Sequence, residues 1–350
     1  MQTRSFQLTI SLVTIFFHTV CAEENKQIGR ISGYLFGDYY YMLNADTAAS
    51  RGIRQYSSTP KDFQAFQFRR LYVNYDQPLT EQFAFQVIIE SNDRSIDPAG
   101  RFGFYVKTAF LEWKNIFGSS ALRVGLVPTL ICTLTEKIWN YRSLERTLLD
   151  YRNLGQPSDM GISLRGTIDH SGILSYGAMI SNGTGAFVEN NKYKKYAGEL
   201  LVKPFGGLSI ETVADYEPAS QEKNKLTLKG QLAYQSEFFT VGAELSQQVQ
   251  SNAGGVDTAI IPRGLSLFAW APIPGLENIT GVVRYDIFDP NTQSLSGGYR
   301  ENFLELAVDY MPIPNVHFMP NLWMNSYIGK AMVPRSSDVV ARLTFFYIYK

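Results

Sequence analysis

In the segment Leu226-Thr227-Leu228-Lys229-Gly230-Gln231-Leu232-Ala233-Tyr234, apolar side chains recur at every second place, at Leu226, Leu228, Leu232 and Tyr234. Thr227, Lys229 and Gln231 fill the alternate places. Successive residues of a strand point to opposite faces, so this period predicts a strand with one dry side and one wet side. The alternation recurs along the chain: Phe83, Phe85, Val87 and Ile89 oppose Ala84, Gln86 and Glu90, and Phe239, Val241, Ala243 and Leu245 oppose Thr240, Gly242, Glu244 and Ser246. Near the end of the chain, Val339, Ala341, Leu343, Phe345 and Tyr347 oppose Arg342 and Thr344. The pattern predicts sixteen strands, near residues 30–41, 63–75, 81–91, 103–114, 120–128, 160–169, 172–181, 195–203, 207–216, 224–235, 237–248, 264–272, 277–288, 300–311, 314–328 and 337–349.

Connection lengths decide between architectures. Long polar connections (42–62, 92–102, 129–159, 182–194, 217–223, 249–263, 289–299 and 329–336) alternate with short turns such as His170-Ser171 and Pro204-Phe205-Gly206. A meander of this kind has turns at one end and excursions at the other, as in outer-membrane barrels with periplasmic turns and extracellular loops. Hydrocarbon offers no partner to a backbone amide, so such a sheet must close. The expected fold is therefore an all-β, transmembrane, antiparallel up-and-down β-barrel of about sixteen strands, wide enough for its lumen to hold water. A secreted soluble β-rich protein, for instance one that binds carbohydrate, is the alternative. It would bury its apolar faces against a second sheet and show no order of long and short loops.

Residues 1–22 carry one charge, Arg4, then an apolar run, and end in Val20-Cys21-Ala22 before Glu23-Glu24; this reads as a secretory signal peptide. The remainder, 23–350, is expected to be a single barrel domain. Only Cys132 survives cleavage, which leaves no disulfide, zinc or redox motif. Lys and Arg number 32, as do Asp and Glu, so no one-sign field marks a nucleic-acid partner. Charged residues are 18% and aromatics 14%, which suits a wall with one large apolar face. Tyr39, Tyr40, Trp113, Trp139, Tyr234, Trp270, Tyr285, Tyr310, Trp323, Tyr347 and Tyr349 fall largely near strand ends, as interfacial girdles would. The three histidines have no metal-ligand spacing and form no visible catalytic set, so neither a cofactor nor an enzyme is expected. An outer-membrane barrel hydrolase using His317 is the enzymatic alternative.

Three segments carry a resemblance. They are Phe68-Arg69-Arg70-Leu71-Tyr72-Val73-Asn74-Tyr75; Val106-Lys107-Thr108-Ala109-Phe110-Leu111-Glu112-Trp113 with Leu122-Arg123-Val124-Gly125; and Ser143-Leu144-Glu145-Arg146 running through Gly161–Gly166 to Leu174–Gly183. These look like the phosphate-selective porin O and P family of bacterial outer membranes. The resemblance implies a sixteen-stranded barrel, a homotrimer, and a third loop folded inward to narrow the pore. Here the third long connection is the longest, at about 129–159.

A pore discriminates ions by side chains at its constriction. Lys137, Arg142, Glu145, Arg146 and Arg152 in the third loop are the constriction candidates, and Arg70, Arg123, Arg165, Lys229, Arg284 and Arg342 are the candidates on the lumen wall. The wall also carries Glu90, Glu112, Glu199, Glu211, Asp215, Glu244, Asp286, Glu305 and Asp309. Acids and bases that pair across strands would only keep the lumen polar. The reading is a passive channel for small hydrophilic solutes or ions in the outer membrane of a Gram-negative-type bacterium, with anions such as phosphate implied by the resemblance. The whole-chain charge balance counts against strong anion selectivity.

Overall fold

The computed structural model describes residues 28–46, 56, 59–220, 222–255, 257–295, 297–330 and 335–350; the signal peptide expected at 1–22 lies outside them. The first strands are β1 (Arg30–Asn44), β2 (Gln64–Pro78), β3 (Phe83–Asn92), β4 (Tyr105–Trp113) and β5 (Ala121–Pro128). Two helices follow, α1 (Leu130–Trp139) and α2 (Leu148–Tyr151). Next come β6 (Ser158–Thr167), β7 (Leu174–Ser181), β8 (Lys195–Val202), β9 (Leu208–Pro218), β10 (Asn224–Gln235) and β11 (Thr240–Gly255). The last are β12 (Thr258–Ile260), β13 (Arg263–Pro272), β14 (Ile279–Asp289), β15 (Tyr299–Ile313), β16 (Val316–Gly329) and β17 (Asp338–Tyr349).

Neighbouring strands pair antiparallel, and β1 pairs with both β2 and β17, which closes the sheet. β12 is a short return at the tip of β11. β11 pairs directly with β13, from Thr240 opposite Trp270 to Gln247 opposite Arg263, so sixteen strands form the wall. Each expected strand is present, with its ends shifted by a few residues and β11 extended to Gly255.

Burial is inverted relative to a soluble protein. In β10, Thr227, Lys229 and Gln231 are buried while Leu226, Leu228 and Leu232 are exposed. In β9, Glu211 and Asp215 are buried while Ile210 and Tyr216 are exposed. An apolar face turned outward and a polar face turned inward suit hydrocarbon outside and a lumen inside. They do not suit the soluble alternative, which would bury the apolar face.

The long connection between β5 and β6 enters the barrel. The sequence reading treats it as irregular, yet Leu130, Leu134 and Ile138 already stand at helical spacing, and α1 forms there. The helix stops at Asn140, whose φ of 60° is left-handed and whose N–H donates to Glu136 O. Leu130, Ile131, Cys132, Leu149 and Leu154 pack on Phe110, Val127, Met179, Val213 and Phe288. Ile138, Trp139 and Leu144 pack on Ala233, Phe268, Val282, Ala307 and Met319. An apolar seam on the inner wall therefore holds the loop to strands β7–β16.

The girdle reading also needs correction. Trp113, Tyr285, Tyr310 and Tyr347 are exposed on the outer face, but Tyr40, Trp139 and Trp323 are buried inside. Trp270 lies inward, directing Nε1 at Ile138 O. Three of the four tryptophans therefore serve the inward loop, because an interior that must hold a loop also needs large rings with a polar edge.

Candidate functional site

Polar contacts from many strands fix the inward loop. Lys229 Nζ donates to Ile131 O at 2.9 Å, Gln248 Nε2 to Leu154 O at 3.0 Å, and Tyr141 Oη to Asp309 Oδ2 at 3.1 Å. Arg284 donates to the carbonyl of Arg146. Glu145 lies at the centre of this array and is fully buried. Its carboxylate accepts from Trp323 Nε1 at 3.1 Å, and its carbonyl accepts from Trp139 Nε1 at 2.8 Å.

Open space remains on the opposite side, between the loop and β1–β4. A cavity of about 570 Å³ faces the long-loop end and is lined by Arg69, Arg70, Glu90, Arg94, Lys107, Arg142, Arg146 and Asp150 among others. A second, of about 440 Å³, faces the turn end and is lined by Tyr34, Tyr72, Glu136, Lys137, Phe346 and Ile348 among others. Phe36, Lys107, Arg142 and Pro157 line both, so the two cavities abut at the level of these four residues.

Two β-bulges set the chemistry of that level. On β2, Phe36 is opposite Arg70 while the next residue, Gly37, is opposite Phe68; Arg69 is the extra residue. Arg69 and Arg70 are therefore both buried inside, though they are chain neighbours. On β4, Ile88 is opposite Thr108 and Ile89 opposite Val106, which leaves Lys107 extra and turns it inward beside Thr108. A strict period of two would have sent one residue of each pair into lipid.

These cations meet carboxylates. Glu90 lies 3.2 Å from Arg70 Nε and 3.2 Å from Lys107 Nζ, and Asn92 Nδ2 donates to it at 2.5 Å. On the loop side, Arg142 Nη1 donates to Asp150 at 2.7 Å and to Glu136 at 3.2 Å. The Phe36 ring lies 5.4 Å from Arg69 Cζ and 5.9 Å from Arg70 Cζ, within reach of a cation–π attraction. Among the described residues lining the two cavities, seven are basic (Arg69, Arg70, Arg94, Lys107, Lys137, Arg142 and Arg146) and four acidic (Glu90, Asp93, Glu136 and Asp150). The charge that cancels over the whole chain does not cancel along this space.

Two of the loop carboxylates, Glu145 and Asp150, are held ionised. Burial alone would raise Glu145, but Arg69, Arg146 and Arg342 outweigh it and hold the group down to about 2. Burial would likewise raise Asp150, and Arg142 and Arg146 hold it below the usual carboxylate range. Cys132 has only burial to contend with in the main, and its thiol is pushed up to about 12.

The residues expected at the constriction separate. Arg142 borders both cavities, Arg146 borders the long-loop side and Lys137 the turn side. Glu145 braces the loop instead, and Arg152 pairs with Glu301 and lies 4.4 Å over the Tyr151 ring. Of the wall residues, Arg70 lines the larger cavity, whereas Arg123, Arg165, Lys229, Arg284 and Arg342 line neither. Those five are ion-paired: Arg123 with Glu112 (2.8 Å), Arg165 with Glu199 (3.1 Å), Lys229 with Glu211 (2.6 Å), Arg284 with Asp286 (2.6 Å) and Arg342 with Glu305 (2.6 Å). Arg165 reaches Glu199 across an intervening strand because Gly177 stands between them in register. Arg69 and Lys107 were missing from the expected set, although both stand in segments that carry the resemblance; in the pattern itself their signal was a break in the alternation, at Arg69-Arg70 and at Lys107-Thr108. His317 Nδ1 lies 3.0 Å from Asp309 beside a third cavity, of about 470 Å³, that no serine among the described residues lines.

No family model and no curated protein sequence matches the chain. Solved structures do match. The anion-selective porin from Comamonas acidovorans superposes with a TM-score of 0.65 at 12% identity, over 92% of this chain and 99% of that one. Salmonella typhi OmpF, solved with daunomycin, gives 0.63 at 10% identity, over 92% and 97%. Pseudomonas putida OprB at high pH gives 0.65 at 9% identity, over 92% and 94%. The chain shares its fold with outer-membrane porins.

Proposed function

We propose that the protein is an outer-membrane porin of a Gram-negative-type bacterium, exported by its signal peptide. It lets small hydrophilic solutes diffuse down their gradient, with a preference for anions such as phosphate, and it carries out no chemistry. One observation carries this reading: two cavities, one from each end of the barrel, abut between the inward loop and β1–β4 at a level where cations outnumber carboxylates. Passage through such a constriction is governed by its radius and local charge. The fold shared with an anion-selective porin supports the sign of the preference.

A homotrimer is part of the proposal, supported by a Vibrio cholerae outer-membrane protein of the same fold solved in a trimer form, which matches with a TM-score of 0.63. Purified protein in a planar bilayer tests the channel. In a KCl gradient the reversal potential should take the sign of anion selectivity, and added phosphate should reduce chloride current. A cation-selective reversal potential that phosphate leaves unmoved would overturn the anion preference.

A further inference from the structure

One cavity differs from the constriction in the sign of its charge. It is the third, of about 470 Å³, at the turn end, where Asn140-Tyr141 at the foot of the inward loop meets the β13–β14 turn and the inner faces of β15, β16 and β17. Glu277 and Asp309 line it, and no Lys or Arg among the described residues does. Other wall carboxylates, among them Glu112, Glu199, Glu211, Asp286 and Glu305, each pair with a Lys or Arg. Asp309, only 5% exposed, is instead held by Tyr141 Oη at 3.1 Å and His317 Nδ1 at 3.0 Å. Helix α1 ends at the rim, at Asn140, and the last carbonyls of a helix add a partial negative charge. Much of the remaining lining is apolar: Leu276, Met311 and Ile348 supply aliphatic wall, and the Phe346 ring stands 5.1 Å from that of His317.

We propose that this cavity binds organic ammonium ions that carry an apolar body, with the cationic head against Asp309 and the body against Leu276, Met311, Ile348 and Phe346. A buried carboxylate with no guanidinium or ammonium of its own attracts such a head, and aromatic faces reward a cation that has left water. An inorganic cation would leave the apolar walls unused. An anion would meet two carboxylates and a helix C-terminus with no fixed cation beside them. Asn140, Phe346 and Ile348 line the turn-side cavity as well, so the occupant sits beside the way into the constriction. An occupied site narrows that entrance and leaves the constriction itself unchanged. Binding there requires no particular selectivity of the channel.

The test titrates the folded full-length protein, in a non-ionic detergent at about pH 8 where an ordinary histidine is neutral, with phenyltrimethylammonium chloride in a calorimeter. One site per chain should bind it, and tetramethylammonium, the head without the body, should bind about tenfold more weakly. Asp309→Asn keeps the shape and removes the charge, and should weaken phenyltrimethylammonium binding by about tenfold. Tyr141→Phe removes the same bond between loop and wall but keeps the ring and the carboxylate, and should bind at least as tightly as wild type. No binding by wild type, equal binding of the two ammonium ions, or wild-type binding by Asp309→Asn would each overturn the inference. So would equal weakening in Asp309→Asn and Tyr141→Phe, which would assign the effect to the loop bond. In planar bilayers phenyltrimethylammonium should reduce the current from one side of the membrane alone, and equal reduction from both sides counts against the site. A protein that binds the probe as described and conducts nothing overturns the channel reading and upholds the site.

Discussion

Arg69 Nη1 lies 2.7 Å from the carbonyl oxygen of Ser143, a bond from the barrel wall to the middle of the inward loop. The same nitrogen also donates to Leu144 O at 3.0 Å. Arg69 reaches the loop only because the β2 bulge turns it inward beside Arg70. Hydrogen bonds from a charged donor contribute about 1.5–3 kcal/mol each. Arg69→Ala should therefore loosen the loop: single-channel recordings should show a larger mean conductance and added open-channel noise. Arg70→Ala, which removes a cation that makes no bond to the loop backbone, should shift selectivity and leave the noise at the wild-type level. Equal noise in Arg69→Ala and wild type would dismiss the latch.

Arg142 should count for more than one charge. It borders both cavities and also neutralises Asp150 and Glu136. Arg142→Gln removes a cation, unmasks Glu136 and leaves Asp150 to Arg146 at 3.6 Å. The reversal potential in a KCl gradient should move toward cation selectivity further in this variant than in Lys137→Gln, where a cation exposed on the turn side has no ion-pair partner among the described residues. A smaller shift for Arg142→Gln than for Lys137→Gln would contradict the placement of the constriction.

Arg342 predicts the opposite division of effects. It pairs with Glu305 at 2.6 Å and with Asn321 Oδ1 at 2.5 Å, wholly buried and away from both cavities. Truncation leaves Glu305 as an uncompensated buried charge, and breaking such a pair costs about 3–5 kcal/mol. Arg342→Ala should lower the temperature at which the folded barrel loses its heat-modifiable migration, while the reversal potential of the protein that does insert stays near wild type. A changed selectivity at unchanged stability would refute this division.

Acid should leave the loop docked over an unusually wide range. Arg69, Arg146 and Arg342 hold Glu145 down to about 2 against the effect of burial. A carboxylate depressed in the folded state stabilises it fully above its unfolded value of about 4, and that contribution is lost as pH falls through the folded value. Conductance and the fluorescence of Trp139 and Trp323, both bonded to Glu145, should therefore stay flat from about pH 7 to pH 4 and change only toward about pH 2. A midpoint between about pH 4 and 5 in either signal would mean that Glu145 is not clamped.

The wall was legible because a membrane barrel repeats one simple rule, apolar out and polar in, sixteen times, and a period of two survives errors in strand ends. The constriction was harder to read for the same reason. A bulge adds one residue and breaks the period, so Arg69 and Lys107 stood where alternation assigns lipid-facing positions. Arg123, Arg165, Lys229, Arg284 and Arg342 each pair with a carboxylate, and a period of two does not distinguish a solute contact from an ion pair. That distinction depends on register, such as Glu112 directly opposite Arg123, and on the position of the inward loop, which covers one side of the lumen and leaves the other open. The apolar residues that hold the loop, among them Met179, Val213 and Val282, broke the inner polar pattern and were the unread signal for where it docks.

Gly264 gives that docking its sharpest steric test. It lies on β13 facing inward, and a Cβ built there would fall 2.7 Å from Leu148 Cδ2 and 3.3 Å from Leu148 Cδ1. Leu148 opens α2 and is completely buried, so its side chain has little freedom to yield. Overpacking a filled interior costs about 1–3 kcal/mol, and here the movable partner is the loop, because the wall is tied by its ladder on both sides. Gly264→Val should therefore displace the loop toward β1–β4, into the open cavities, and reduce single-channel conductance without preventing barrel assembly. Gly230, on the outer face of β10, has nothing within 4 Å of the same built atom. Gly230→Ala adds a methyl to the lipid face and removes the conformational freedom of a strand glycine, so stability should hold or rise slightly while conductance stays at the wild-type value. Loss of conductance in both variants would indicate a general defect of the wall, whereas loss in Gly264→Val alone would place the loop against β13.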